Sequence, residues 1–209
     1  MKLIVITPEQ TPANELNTAN RLFENGLQRL HIRKPSFTTD QLREYLGAIA
    51  PQYHQYLVLH NHFNLFHEFK TGGIHLSSYA RNDISILKLI ENIPPQLRST
   101  SFHSWQEILD NTIHYGYVFI SPVFDSVSKP GYAAGIDLNG ATQIRSQLLA
   151  TQQYCPEIIG LGGVTKNNLG LLHQYKFDGG AMLGNVWMAA DPVTDFMTAM
   201  ETTRLLTNA

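Results

Sequence analysis

Proton transfer, phosphate binding and charge neutralisation are the chemistries that the polar residues of this chain can supply. His103 stands two residues after Ser101 and just ahead of Ser104-Trp105. An imidazole ahead of a helix start suits a neutral ring acting as a general base near neutral pH. A capping or packing histidine is the plain alternative, and position alone does not choose between them. Two glycine-bearing turns follow late in the chain, Gly160-Leu161-Gly162-Gly163-Val164 and Gly179-Gly180-Ala181-Met182-Leu183-Gly184-Asn185. Glycine lets backbone N–H groups approach a phosphate closely, although tight turns alone would also use it. Between them and His103 lies Ser121-Pro122-Val123-Phe124-Asp125-Ser126-Val127-Ser128-Lys129-Pro130-Gly131. Ser126, Ser128 and Lys129 can hydrogen-bond and neutralise a phosphate or hold a ring nitrogen. The connection runs to about Ile136, long enough for a functional lid. Together these features point to a small phosphorylated substrate.

The elements that must carry these residues alternate regularly. Short apolar runs read as buried strands at Leu3 to Thr7, Arg29 to Ile32, Tyr56 to His60, Gly73 to Leu76, Arg98 to Phe102, Tyr117 to Ile120, Ile158 to Leu161 and Gly179 to Leu183. Stripes at helical spacing lie between them, such as Leu16, Ala19, Leu22 and Phe23. Thr39-Asp40, Asn82-Asp83, Ser104 with Glu107, Asp137, Thr165 and Asp191-Pro192 mark helix starts. Eight strand–helix units predict an α/β fold, a single (β/α)8 TIM barrel over residues 1–209, in preference to an open doubly wound sheet. In a barrel the residues after each strand share one face. That ring holds Thr7, Arg33-Lys34, His60-Asn61-His62, Ser77, Ser101 with His103, Ser121, Gly162-Gly163 and Gly184-Asn185.

Composition narrows the partners. The 209 residues carry 15 basic and 17 acidic side chains, for a formal charge of -2. That balance argues against a nucleic-acid binder. No run approaches the ~18 apolar residues of a membrane span, and the start is too short for a signal-peptide core, so the cytoplasm is the expected compartment. One cysteine, Cys155, excludes an intrachain disulfide framework. The nine histidines invite a metal reading. His60 and His62 would share one side of an extended chain, but no third ligand is evident, so no metal is expected. His31 and His75 read as hydrogen-bonded barrel histidines; His54, His67, His114 and His173 read as surface or packing residues on helices. Apolar stretches such as Phe196 to Met200 permit a homodimer without requiring one.

The chain resembles the thiamine phosphate synthase/TenI superfamily over nearly its whole length. The resemblance is carried by Leu30-His31-Ile32-Arg33, Leu57-Val58-Leu59-His60-Asn61, Gly73-Ile74-His75-Leu76, Ser101-Phe102-His103-Ser104, the segment from Ser121 to Lys129, and Gly160-Leu161-Gly162-Gly163-Val164. It implies a barrel that binds a thiazole phosphate or thiamine phosphate. In the synthase branch the second strand ends on arginine, glutamate and lysine, and two aspartates bind magnesium. Here Pro35 replaces the lysine, Asn61 replaces one aspartate, and Ser77-Ser78-Tyr79-Ala80 lacks the other. Magnesium needs oxygen ligands, chiefly carboxylates.

The TenI branch isomerises a carboxythiazole phosphate without metal, and its histidine matches His103. The resemblance then implies phosphate on Gly162, Gly163 and Gly184, with Arg33, Ser101, Ser126, Ser128 and Lys129 around the substrate and His60 and Asn61 in reach of it. The preferred reading is a cofactor-free thiazole tautomerase. The alternatives are a synthase using Mg2+ to join a pyrimidine diphosphate to thiazole phosphate, and a non-catalytic binder of a phosphate from the same pathway.

Overall fold

The computed structural model describes residues 1–125, 134–151 and 153–208. Its strands are β1 (Lys2–Ile6), β2 (Leu30–Ile32), β3 (Leu57–Leu59), β4 (Gly73–Leu76), β5 (Arg98–Phe102), β6 (Tyr117–Ile120), β7 (Glu157–Leu161) and β8 (Gly179–Met182). They pair in chain order, all parallel, and β8 closes onto β1. The molecule is therefore a (β/α)8 barrel. Helices follow the strands: α1 (Glu15–Glu24), α2 (Thr39–Gly47), α3 (Leu65–Phe69), α4 (Ile84–Leu89), α5 (Trp105–Leu109), α6 (Gly140–Ala150), α7 (Leu169–Gln174), α8 (Gly184–Trp187) and α9 (Pro192–Asn208). None among the described residues is long and apolar enough to cross a membrane.

The apolar runs become strands because alternate residues serve two cores. Leu3, Val5, Leu30, Ile32, Val118 and Ile120 pack outward with Leu22, Leu46, Ile144 and Leu172 of the helices. Ile4, Ile6, Tyr117, Phe119, Ile159 and Ala181 form a smaller cluster inside the barrel. That inner cluster draws on β1, β6, β7 and β8. The matching inward positions on β2, β4 and β5 hold His31, His75 and Ser99, all buried.

Several helix starts follow the sequence markers. Asp83 accepts from the N–H groups of Ser85 and Ile86, Ser104 from Glu107, and Asp191 from Val193 and Thr194. Others differ. The cap of α2 is Thr38, whose side chain and that of Gln41 form a reciprocal capping box, rather than Thr39-Asp40. Asp137 and Thr165 instead bond the N–H groups of Asn139 and Asn167, organising the turns ahead of α6 and α7. His114 lies on the loop before β6, stacked on Tyr154, and not on a helix. Within α9, Phe196 and Ala199 are core residues, while Met197 is half exposed.

One buried ion pair fixes the loops beside the second strand. The Lys34 ammonium meets the Glu15 carboxylate at 2.7 Å, with both side chains fully buried. Lys34 also donates to the carbonyls of Pro8 and Gln10, and Tyr45 donates its hydroxyl proton to Glu15 at 2.6 Å. Burial pulls the Lys34 pKa below its ordinary value, and Glu15 opposes that shift. A charge so enclosed is tolerable only while its partner remains. Lys34→Met should lower the unfolding free energy measured in urea by about 3–5 kcal/mol. Adding Glu15→Gln should restore part of the loss, because it removes the unpaired charge and keeps an acceptor for Tyr45.

Candidate functional site

His103, Gly162, Gly163 and Gly184 stand just past the C-terminal ends of their strands. His103 follows the last residue of β5 and is exposed. Its Nδ1 lies 3.1 Å from the carbonyl oxygen of Ser121 and 3.3 Å from the Ser121 hydroxyl. A carbonyl can only accept, so Nδ1 carries the proton. The lone pair of the neutral ring is then on Nε2, which has no hydrogen-bond partner among the described residues. Arg81, which no sequence motif marks, supports this strand end. It donates to the Ser101 carbonyl at 2.7 Å, approaches Glu107, and lies over the Phe102 ring.

The glycine turns sit beside one another. Gly162 and Gly163 have φ values of +93° and +63°, a left-handed backbone that favours glycine. A Cβ on Gly163 would stand 2.3 Å from the Asp125 carbonyl oxygen and 2.8 Å from the Phe124 carbonyl carbon. The turn is bonded to the loop after β6, where Val123 and Phe124 donate to the carbonyls of Leu161 and Gly162. Asn168 donates to Gly163 and Asn185 to Val164, both at 2.9 Å, which ties the start of α8 to the double glycine. Gly184 opens α8. The close packing means that Gly163 has a structural role in addition to any role toward a ligand. Ser126, Ser128 and Lys129 lie outside the described residues.

Other rim residues are engaged in ways the sequence does not show. Arg33 pairs with Glu9 at 2.5 Å, and its backbone N–H donates to the Thr7 hydroxyl. Lys34, one residue on, points into the buried pair with Glu15 and not into the site. Asn61 donates through Nδ2 to the Lys34 carbonyl, while its Oδ1 is buried with no partner among the described residues. His60 and His62 do not face each other. His62 has a φ of +51°, and its ring bonds Thr39 and the Phe37 carbonyl. The left-handed residue ends the extended chain on which their expected alignment depended.

His60 instead joins His31 and His75 in the barrel. Register explains this: Leu59 pairs with Ile74, which places His60 level with His75, and His31 pairs with Val58 two residues before His60. The His60 and His75 rings stack with centroids 4.3 Å apart. Donor accounting assigns the protons. Ser99 donates to the Ile74 carbonyl, so it accepts from His75 Nδ1 at 2.9 Å, and Ser101 then donates to His75 Nε2 at 3.0 Å. Tyr117 and His31 Nε2 are 2.6 Å apart, and His31 Nδ1 and His60 Nε2 are 2.9 Å apart. Burial is the main cause that lowers all three histidine pKa values, with neighbouring histidines and Arg29 acting on His31, and His75 and Arg33 on His60. His75 is pushed down to about 3 by burial, then by Arg33 and Arg81.

These depressed values make stability depend on pH. Unfolded histidines take up protons near pH ~6.5, whereas the folded cluster resists them until much lower pH. The stabilisation is fully present above about pH 6.5 and is lost as the pH falls below it, by up to about 1.4 kcal/mol per pH unit for each histidine. Urea unfolding in EDTA buffer should therefore show a steeper loss between pH 7 and 5 for the native chain than for His75→Gln. Equal slopes would contradict a neutral buried cluster.

Comparison with known proteins places this geometry. Residues 3–186 match the family model described as "Thiamine monophosphate synthase". A thiamine-phosphate synthase of Leuconostoc citreum is 23% identical over 151 residues, covering 72% of this chain and 68% of that protein. The solved thiamine phosphate pyrophosphorylase of Bacteroides thetaiotaomicron is 26% identical, with a TM-score of 0.77 and 98% of each chain covered. The corresponding structure from Pyrococcus furiosus, at 19% identity and a TM-score of 0.76 over 98% and 96% of the two chains, shares the fold. The family match runs from Leu3 in β1 through the other seven strands and the turns that carry His103, Gly162, Gly163 and Gly184, and the chain belongs to the thiamine monophosphate synthase/TenI family.

Proposed function

We propose that this chain works in thiamine biosynthesis as a TenI-like thiazole tautomerase, with His103 as its acid and base. The observation that carries the reading is the 3.1 Å contact between His103 Nδ1 and the Ser121 carbonyl, which assigns the proton to Nδ1 and leaves Nε2 as the basic atom on an exposed ring. Nε2 takes a proton from the substrate carbon, the double bonds shift, and a proton returns at the other end of the conjugated system. The ring becomes aromatic with no net gain or loss of protons. Through both steps Nδ1 stays bonded to the Ser121 carbonyl, which also stabilises the transient imidazolium. The phosphate rests on N–H groups at Gly162, Gly163 and Gly184, whose turns Asn168 and Asn185 hold together. Ser101, Arg33, His60 and Asn61 border the substrate, and the assignment of Ser126, Ser128 and Lys129 to it rests on the sequence alone.

The names of the relatives favour a second reading, the synthase. That reaction places Mg2+ against a diphosphate through carboxylate oxygens. The positions concerned here are Asn61, which offers a neutral amide oxygen, and Ala80, which is buried and offers none. These side chains do not fit the ion, and no step of the proposed reaction runs through one.

Turnover of the carboxythiazole phosphate tautomer in excess EDTA tests the proposal. His103→Ala should lower kcat by about 10²–10⁴ while phosphate-ligand affinity is retained. Turnover unaffected by that change would remove His103 from the chemistry. Product formed only with Mg2+, pyrimidine diphosphate and thiazole phosphate would establish the synthase, and no turnover in either assay would leave a binder. Gly163→Val is a poor probe of the phosphate site, because its side chain would collide with the Asp125 carbonyl whether or not phosphate binds there.

A further inference from the structure

The histidines inside the barrel have no part in the proton transfer at His103, yet their arrangement is specific. His31, His60 and His75 come from three adjacent strands, and each offers a ring nitrogen within 4.8 Å of the others. His31 is fully buried and His75 nearly so. Burial keeps the rings unprotonated, the state in which imidazole binds metal. We propose that His31, His60 and His75 form a divalent transition-metal site of three neutral nitrogen ligands, suited to Zn2+ or Co2+.

The outer contacts favour one set of ligand atoms. His75 Nδ1 already donates to Ser99, which donates onward to the Ile74 carbonyl. That leaves His75 Nε2 to bind metal once it gives up the Ser101 proton. His60 Nε2 and His31 Nδ1 face each other at 2.9 Å and must part slightly, since two ligands at ~2.0–2.1 Å from a tetrahedral ion lie about 3.3 Å apart. With Nδ1 on the metal, His31 carries its proton on Nε2, where the Tyr117 oxygen accepts it. Each ligand is neutral before and after, so the imidazoles themselves release no proton. Histidines whose other nitrogen is held by a hydroxyl or carbonyl are the usual form of such ligands. Three nitrogens leave a fourth position for water or a donor atom of a small molecule. A nitrogen-only set of this kind selects zinc, cobalt, nickel or copper over magnesium and calcium.

His60 also borders the proposed substrate, so the test of the metal site reads binding and not activity. The full chain, stripped with EDTA and freed of chelator, is titrated with Co2+ and followed by its visible absorption. One equivalent should give the intense bands of a four-coordinate ion without a thiolate charge-transfer band, and Zn2+ should displace it and raise Tm. His60→Ala should weaken Co2+ binding by more than the roughly 100-fold that loss of an outer partner costs, and Tyr117→Phe by about 10–100-fold. His103→Ala and His62→Ala should leave it unchanged. Because His60 is only half-buried, its variant is the one expected to fold, and circular dichroism checks this. Binding that is weak and non-stoichiometric, that survives His60→Ala, or that is lost with His62→Ala or His103→Ala would overturn the site.

Discussion

A closed eight-stranded barrel has to fill its own interior, and a polar group placed there must find a partner. An unpaired buried hydroxyl or ring nitrogen costs about 1–3 kcal/mol, comparable to the net gain from several good hydrogen bonds. On one side this barrel meets the constraint with Ile4, Ile6, Phe119, Ile159 and Ala181. On the other it places imidazoles and hydroxyls that satisfy one another. Tyr117 belongs to both sides: its ring packs with the apolar cluster and its hydroxyl reaches His31. The protons in this network have little freedom. Because Ser99 must donate to Ile74, His75 must donate to Ser99, and Ser101 must donate to His75.

That chain of donors ends at the rim. Ser101 is the last inward residue of β5, two positions before His103, so the same strand joins the histidine floor to the catalytic candidate. Arg81 clamps the strand at the carbonyl of Ser101, and Ser104 starts α5 directly after His103. His103 is thus fixed from β5, from the first turn of α5 and from the Ser121 carbonyl of the neighbouring strand end. A proton donor and acceptor must be held within a few tenths of an ångström to act efficiently, and side chains set on rigid elements meet that demand better than loops do. The glycine turns follow the same logic. Their side-chain-free backbone lets β7 and the loop after β6 approach closely, and two asparagine amides lock the result.

Local patterns made the fold and part of the site legible. Buried parallel strands leave near-continuous apolar runs such as Tyr117 to Ile120, and Asp83, Ser104 and Asp191 show their capping roles in the sequence. The place of His103 at a strand end is legible because its context, Phe102-His103-Ser104, spans only a few residues. The histidine cluster is not, because it depends on strand register. Residues 31, 60 and 75 meet only when the pairings of β2, β3 and β4 are known, while the nearer pair, His60 and His62, is parted because His62 itself has a left-handed backbone. Lys34 illustrates the same limit. It follows Arg33 directly and resembles a rim cation, but only the tertiary structure reveals the carboxylate of Glu15 beneath it. Arg81 carried no motif, and its role arises from packing on Phe102.

The charges at the rim bear on which reaction this barrel suits. A diphosphate substrate is multiply charged and calls for free cations and a metal ion. Among the described residues, the rim cations are already matched: Arg33 with Glu9, Lys34 with Glu15, and Arg81 with Glu107 and the Ser101 carbonyl. Recruiting Arg33 would mean breaking a pair, and recruiting Lys34 would leave Glu15 buried and uncompensated. A monophosphate makes a smaller demand, which backbone N–H groups at glycine turns and a helix start can meet. Proton transfer between carbons adds no lasting charge, so a single histidine with a neutral carbonyl behind it is sufficient. On the proposed reading, the paired cations of the described rim suit a monophosphate better than a diphosphate.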